Sequence, residues 1–234
     1  MEKLKRYLSD LQKTLDRLPL ERIELVIQIL RAARLENRQV FIMGNGGSAS
    51  TATHFVCDLG KNTRVSGWTD FRVIGLTDNM AIFSAYSNDE GYENALAQQL
   101  ASLVQPEDVV IGISTSGNSP NVLNAIVLAN SRQATTIGFT GFDGGELSSL
   151  VDVDVHVPSD CIEHVEDIHL ALEHMITKAL REMAKEEEVF EHPVSVQIPG
   201  SRMTGLREIE DENKGTSGVS DAGSLVEVEV GKSL

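Results

Sequence analysis

Two loops rich in glycine and hydroxyl side chains carry the clearest chemistry in the sequence. The first, Gly44-Asn45-Gly46-Gly47-Ser48, follows an apolar run and precedes a helix-like stretch. Glycine lets a backbone come close to a ligand, and a helix start offers free N–H groups with a partial positive charge. The spacing is not that of a dinucleotide fingerprint, and no lysine follows as in a Walker loop. A plain strand-to-helix turn with Ser48 as N-cap accounts for this loop equally well. The second loop, Ser114-Thr115-Ser116-Gly117-Asn118-Ser119-Pro120, is more telling. Ser119 and Pro120 read as an N-cap and a first helical residue. Ser114, Thr115 and Ser116 exceed what one turn requires. Clustered hydroxyls beside a helix start can wrap a phosphate without any basic residue.

Acids and imidazoles are the next candidates. His54 and Asp58 are four apart on a helix-like stretch, so they share a face. Such a pair can ligate a metal, work as an acid–base couple, or be a simple surface contact. The neighbouring loops place this stretch at the ligand end of the chain's architecture, which favours a functional role. Glu166 and His174 lie two turns apart on the last helix, about 12 Å along its axis. That separation suits one ion only if the helix bends or if different protomers supply the two groups. His169 borders an apolar face and reads as packed, while His164 is near enough to the helix start to reach the site. Cys57 is expected to face the core. Cys161 opens the last helix, where a thiolate is favoured, and Trp68 reads as a packing residue in a polar loop.

These groups need a scaffold, and the hydrophobic pattern supplies one. Leu4, Leu8, Leu11, Leu15 and Leu18 form one apolar stripe, and Ile23, Val26, Ile27, Leu30 and Ala33 form another. The two predict an N-terminal helical hairpin whose stripe packs into the core, with a sister subunit as a further contact. From Val40 onward, short apolar runs alternate with helix-like stretches. The runs are Val40 to Gly44, Phe71 to Leu76, Asp108 to Ile113, Thr135 to Phe139 and Asp152 to Val157. The first four are apolar nearly throughout, as in strands covered on both faces. The last alternates with Asp and His, as on an edge. The helical stretches between them are Ala49 to Leu59, Ala81 to Leu103, Asn121 to Ser131 and Glu146 to Leu150. Together they predict an α/β protein, a three-layer αβα sandwich around a five-stranded parallel sheet. A long helix from Cys161 to Glu187 closes it, opened by a capping box of Asp160 and Glu163. Residues 1–188 form the domain, and residues 189–234 read as a disordered tail rich in Gly, Ser and charge.

Composition removes several classes. The chain has 234 residues, 20 Lys and Arg against 35 Asp and Glu, and a formal net charge of −15. So acidic a chain is a poor nucleic-acid binder. No apolar run reaches the length of a membrane span. The first residues lack the apolar centre of a signal peptide, and two cysteines make no disulfide framework. A soluble cytoplasmic protein is expected.

The pattern GNGGS, then HF, then GISTSGNS resembles the sugar-isomerase (SIS) domain family, nearest its phosphoheptose isomerase branch. The resemblance covers roughly Leu4 to Lys185. It implies the interconversion of sedoheptulose 7-phosphate and D-glycero-D-manno-heptose 7-phosphate through an enediolate. It also implies a homotetramer with sites between subunits. By resemblance Asn45, Gly46, Gly47 and Ser48 contact the sugar phosphate, Ser114, Thr115, Ser116 and Ser119 bind the phosphate, and Asn88 and Asp89 touch substrate. Asp58 matches the family's carboxylate base and His174 the opposing acid–base. His54, Asp58, Glu166 and His174 match a zinc-ligand set, with Glu166 also on the substrate. Three positions depart from the family. Asp58 stands for Glu, Glu166 for Gln, and Asn62 for Arg, with Lys61 and Arg64 beside it. The alternative is a non-catalytic SIS module that binds a sugar phosphate or a protein partner, as in the branch that binds the replication initiator.

Overall fold

A computed structural model describes residues 1–186. The expected tail from 189 lies outside the described residues, as does the end of the last helix as read from sequence. Two helices lead: α1 (Glu2–Leu15) and α2 (Leu20–Leu35). Then come β1 (Gln39–Gly44), α3 (Gly46–Cys57), a π-helical turn (Asp58–Asn62) and β2 (Arg72–Gly75). The chain continues through α4 (Met80–Glu90), α5 (Ala95–Ala101), β3 (Val109–Ser114) and α6 (Pro120–Ser131). It ends with β4 (Thr135–Thr140), α7 (Gly145–Leu150), β5 (Val153–His156) and α8 (Ile162–Glu186).

All strand pairs are parallel, in the order β2-β1-β3-β4-β5. The chain runs outward from β1 to β2, then returns past β1 to start β3. The direction of winding therefore reverses between β1 and β3, and a crevice opens beyond their carboxyl ends. Both glycine- and hydroxyl-rich loops leave the sheet there.

Strand residues alternate between two apolar layers. Val40, Ile42, Val109, Ile111 and Ile113 face α2, α3 and α8 in one core. Phe41, Met43 and Val110 face α5, α6 and α7 in the other. β3 and most of β1 and β4 are buried on both sides, as the uninterrupted apolar runs require. β5 alternates buried and half-buried residues at the edge.

Three expectations are corrected. The expected stripe enters the core only in part: Leu11 packs against it and Leu18 is buried in it, but Leu4 and Leu8 are 65% and 64% exposed, and α1 also sets the Tyr7 hydroxyl on Asp167 and its ring against His164 of α8. The single helix expected over Ala81 to Leu103 is two. Gly91 adopts φ +86° between them, a conformation a side chain would resist. Cys57 is exposed, not core-facing.

His169 of α8 is buried with its Nε2 3.2 Å from the Thr140 carbonyl, so Nε2–H donates and Nδ1 has no hydrogen-bond partner among the described residues. Burial, offset in part by that carbonyl, pushes its pKa down to about 4. The unfolded chain therefore takes up this proton first. Its contribution is full above about pH 6.5 and is lost as pH falls toward 4, up to roughly 3 kcal/mol. Denaturant melts of His169→Gln between pH 7 and 4.5 should show a shallower acid loss than the parent; an equal slope counts against this assignment.

Candidate functional site

β1 must turn at once into α3, and the residues of the first loop allow it. A β-carbon at Gly44 would fall 2.6 Å from the Ser48 carbonyl oxygen, and Gly46 takes φ +53°. The N-cap of α3 is Asn45, not Ser48, which is buried. The Asn45 side chain does not cap the helix. It exchanges two hydrogen bonds of 2.8 Å with the fully buried amide of Asn121 on α6, and it accepts a third from the Tyr92 hydroxyl at 2.9 Å. The two loops are thereby tied across the switch point.

The second loop is built on the next layer of contacts. Gly117 takes φ +65°, and a β-carbon there would lie 2.0 Å from the Gly144 carbonyl oxygen. Its own carbonyl accepts from Leu147 N at 2.9 Å, and Thr115 O accepts from Gly141 N at 3.0 Å. The loop is thus clamped to the β4–α7 connection. Ser119 is the N-cap of α6 by position, yet its hydroxyl makes no capping bond. It faces the Ser114 hydroxyl at 3.2 Å. Ser116 and Asn118 close a small turn through their side chains. Ser114, Thr115, Ser116 and Ser119 therefore gather at one helix start, with two hydroxyls not consumed by capping.

Asn88 and Asp89 lie on the exposed end of α4, the Asn88 amide donating to Asp89 at 2.8 Å. Every residue of α4 is exposed or half-exposed.

The acids and imidazoles converge on the other side of the first loop. His54 lies on α3, and Asp58 opens the π-helical turn that follows. A π-turn inside an α-helix is rare and is found disproportionately at functional sites. Here it brings Asn62 round so that its amide donates to Asp58 Oδ1. Asn62, which stands where the resemblance has Arg, thus fixes the shorter carboxylate, and the Asn62 carbonyl accepts from Arg181 at 3.3 Å. Opposite, α8 presents His174, whose ring meets that of His54 edge to face with centroids 5.0 Å apart.

One member of the cluster was not singled out from sequence. Ligand atoms of His54, Asp58, Glu173 and His174 all lie within 4.8 Å of one another. Glu166 is not among them. It sits one and a half to two turns back on α8 and lies over Gly47, where a β-carbon would fall 2.5 Å from Glu166 Oε1. The carboxylate beside His174 is the adjacent residue, Glu173, with Oε1 3.1 Å from His174 Nε2 and 3.7 Å from His54 Nδ1. A signal for it existed: Glu173 falls inside the arc marked by Leu172 and Ile176, where an acid is out of place. Glu173 is fully buried, and neither carboxylate oxygen has a hydrogen-bond partner among the described residues. Its near neighbour His174 approaches without the alignment of a hydrogen bond. His164, the other histidine near the start of α8, meets the Tyr7 ring edge to face and stays out of this cluster.

Burial, and then the nearby charge of Asp58, push the Glu173 carboxyl up to about 8. Two imidazoles and two carboxylates are a donor set for a divalent transition metal, since imidazole suits zinc and its neighbours better than magnesium or calcium. The orphaned oxygens of Glu173 fit such an ion, which would satisfy both their charge and their missing partners.

An open parallel sheet with a hydroxyl-lined, helix-headed crevice at its switch point defines a protein built to hold a small anionic ligand. Residues 2–141 match the family model for the SIS domain, and the chain belongs to that family and, within it, to the phosphoheptose isomerases. The curated phosphoheptose isomerase of Geotalea daltonii is 35% identical over 183 residues, covering 77% of this chain and 95% of the relative. That of Trichlorobacter lovleyi is 37% identical over 153 residues, covering 65% and 77%. The solved phosphoheptose isomerase of Neisseria gonorrhoeae superposes with a TM-score of 0.72 at 25% identity, covering 77% of this chain and 98% of that one.

With metal removed by chelator, Glu173 gives a stability signal of known sign. Its folded pKa lies above the ordinary 4.5, so the folded state holds the proton longer. That contribution is full below about pH 4.5 and is lost as pH rises through about 8. Glu173→Gln should therefore melt above the parent at pH 8 in chelator, with the gap closing toward pH 5. A gap independent of pH would show that the carboxyl titrates normally.

Proposed function

We propose that this chain isomerises a heptose 7-phosphate, interconverting sedoheptulose 7-phosphate and D-glycero-D-manno-heptose 7-phosphate. The reading is supported most by the meeting of the two loops: the Asn45–Asn121 amide pair sets Ser114, Ser119 and the start of α6 beside the start of α3. A phosphate held by these hydroxyls and backbone N–H groups needs no basic side chain, so the net charge of −15 is no obstacle. Curated relatives that match most of this chain are named phosphoheptose isomerases.

The reaction moves a proton between neighbouring carbons, one bearing the hydroxyl and the other the carbonyl. A base must take the carbon-bound proton, and an acid must protonate the adjacent oxygen. Asp58 is assigned as the base. It is nearly buried, and Asn62 donates to its Oδ1 and so orients the carboxylate. The His174 ring, half-exposed, is assigned to move the proton at the oxygens. Asn45, Gly46, Gly47, Ser48, Asn88 and Asp89 are assigned to the substrate, as the family pattern implies. Glu166, resting over Gly47, is assigned to the sugar hydroxyls. Zinc, held by the cluster that Asp58 and His174 form with His54 and Glu173, would supply polarisation of the carbonyl and stabilisation of the enediolate charge.

The same reading carries a homotetramer in the cytoplasm. Leu4, Leu8 and Leu15 of α1 and Met80 and Ile82 of α4 are large apolar side chains left open to solvent, and a sister subunit would cover them. No helix among the described residues is long and apolar enough to cross a membrane.

Sedoheptulose 7-phosphate incubated with the purified chain should give the aldose, followed by NMR. Asp58→Asn and His174→Gln should each cut kcat by about 10²-fold or more, while Ser119→Ala should chiefly raise KM. A non-catalytic sensor would instead show a ligand-induced rise in melting temperature with no new isomer, and that result sinks the enzyme assignment. Light scattering should give the mass of four chains, falling when Leu4 and Leu8 are both changed to Glu.

A further inference from the structure

We propose that Asp154, on the edge strand β5, is a positioning residue for the phosphate loop: it ties together the two ends of the β4–α7 connection against which Ser114 to Ser119 are built. The proposal deepens the reading given above and rests on it for what that loop holds. Among the described residues the Asp154 carboxylate accepts from two hydroxyls. Thr140, the last residue of β4, donates through Oγ1, 2.9 Å from Oδ1 and 3.1 Å from Oδ2. Ser148, in α7, donates through Oγ to Oδ2 at 2.5 Å. The single hydroxyl proton of Thr140 goes to the carboxylate, so the His156 Nδ1–H, 3.1 Å away, donates to the same oxygen. Thr140 is fully buried, and a hydroxyl enclosed there depends on these partners.

The connection between Thr140 and Ser148 needs such a tie. Phe142 adopts φ +51°, Gly144 +88° and Gly145 +54°, so three of the four residues from 142 to 145 are left-handed. For phenylalanine that conformation is costly. α7 has six residues, too few to hold as a helix without outside support. Yet the phosphate loop leans on this segment at several points. Gly141 N donates to Thr115 O at 3.0 Å, and Leu147 N donates to Gly117 O at 2.9 Å. Glu146 N donates to Asn118 Oδ1 at 3.0 Å. Gly144 lies between the two systems. A β-carbon on it would fall 2.8 Å from Ser148 Cβ and 3.8 Å from His156 Nδ1, while its carbonyl oxygen lies 2.0 Å from where a β-carbon on Gly117 would stand. A change in how Asp154 holds Thr140 and Ser148 therefore passes to the backbone of Thr115 and Gly117. A shift of about an ångström there is enough to spoil the alignment of donors on a ligand.

Asp152 supplies the comparison. It accepts from the Thr136 N–H at 2.8 Å and from the Thr136 hydroxyl at 3.0 Å. It thus joins the same two strands near their amino ends, away from both loops. Holding β5 to β4 is a duty of both aspartates, but Asp154 also reaches α7.

The full chain and its variants are assayed for turnover of sedoheptulose 7-phosphate and, by calorimetry, for binding of the same compound. Asp154→Asn should raise KM and Kd by about tenfold or more with kcat within about threefold, the pattern of lost binding at unchanged chemistry. Ser148→Ala and Thr140→Val each remove one donor and should raise both constants about three- to tenfold. Ser148→Thr, which keeps the hydroxyl, should stay within about twofold of the parent. Asp152→Asn should lower the melting temperature yet leave KM and Kd within about twofold. Melts show that each variant is folded, and the two hydroxyl variants carry the test if Asp154→Asn does not fold. The proposal is overturned by Asp154, Ser148→Ala and Thr140→Val variants that match the parent, or by a fall in kcat at unchanged KM. It is equally overturned by a Ser148→Thr variant as weak as Ser148→Ala, or by an Asp152→Asn rise equal to that of Asp154→Asn. Turnover in the parent with Asp154→Asn unchanged leaves the isomerase reading standing and removes Asp154 from it. A parent that binds the compound without converting it removes the isomerase reading, and the Kd values then decide the proposal. A parent that neither binds nor converts it overturns both.

Discussion

Two side-chain amides hold the functional end of this molecule together. Asn45 follows β1 as the N-cap of α3 and Asn121 lies in the first turn of α6, and each donates to the other at 2.8 Å. Asn121 is fully buried, so water cannot substitute for its partner. Loss of either amide would leave the other's polar atoms unsatisfied in the crevice. Parallel pairing of β1 with β3, from Val40 opposite Val109 to Gly44 opposite Ile113, brings the strand ends level. The amide pair then fixes the loops that leave them. The starts of α3 and α6 hang on this tie, while Glu166, Glu173 and His174 come from α8.

The glycines and hydroxyls around this tie have distinct duties. Gly44 and Gly117 are there because neighbouring backbone occupies the space of a β-carbon. Ser119 occupies an N-cap position without capping, since its hydroxyl is turned to Ser114. A helix start that forgoes its cap keeps its free N–H groups for something else, and an anion is what such a start attracts.

The second half of the site is governed by electrostatics in a confined space. Asp58 and Glu173 are both enclosed, and the charge of Asp58 disfavours that of Glu173. Such a pair persists in a folded chain when a proton or a cation stands with it. The departures from the family pattern fit together on this view. The shorter Asp58 is held by Asn62, itself a departure, and the extra acid on α8 is matched by a second acid at Glu173. The exposed leucines of α1 are a separate matter of surface. They form a regular helical stripe, as periodicity requires, but the described residues leave it uncovered.

Much of this was legible in the sequence. Apolar runs mark strands buried on both faces, so β1, β3 and β4 could be read directly, as could the alternating edge run of β5, but the apolar run expected to be covered on both faces at β2 lies at the other edge of the sheet with Arg72 exposed. The two loops announced themselves by residue types in excess of what turns need, and the family pattern attached roles to them. Tertiary structure alone decided which acid joins His54, Asp58 and His174. Local spacing cannot show how α8 is rotated against the sheet, nor that a π-turn after Cys57 would carry Asn62 onto Asp58. It also could not show that α1 would lay Tyr7 and Leu11 against the rest of the fold and leave Leu4 and Leu8 exposed. Strands and loops follow from short-range pattern because burial on both faces leaves a mark on every residue. The meeting of side chains from separate helices follows from packing, which no single stretch of sequence contains.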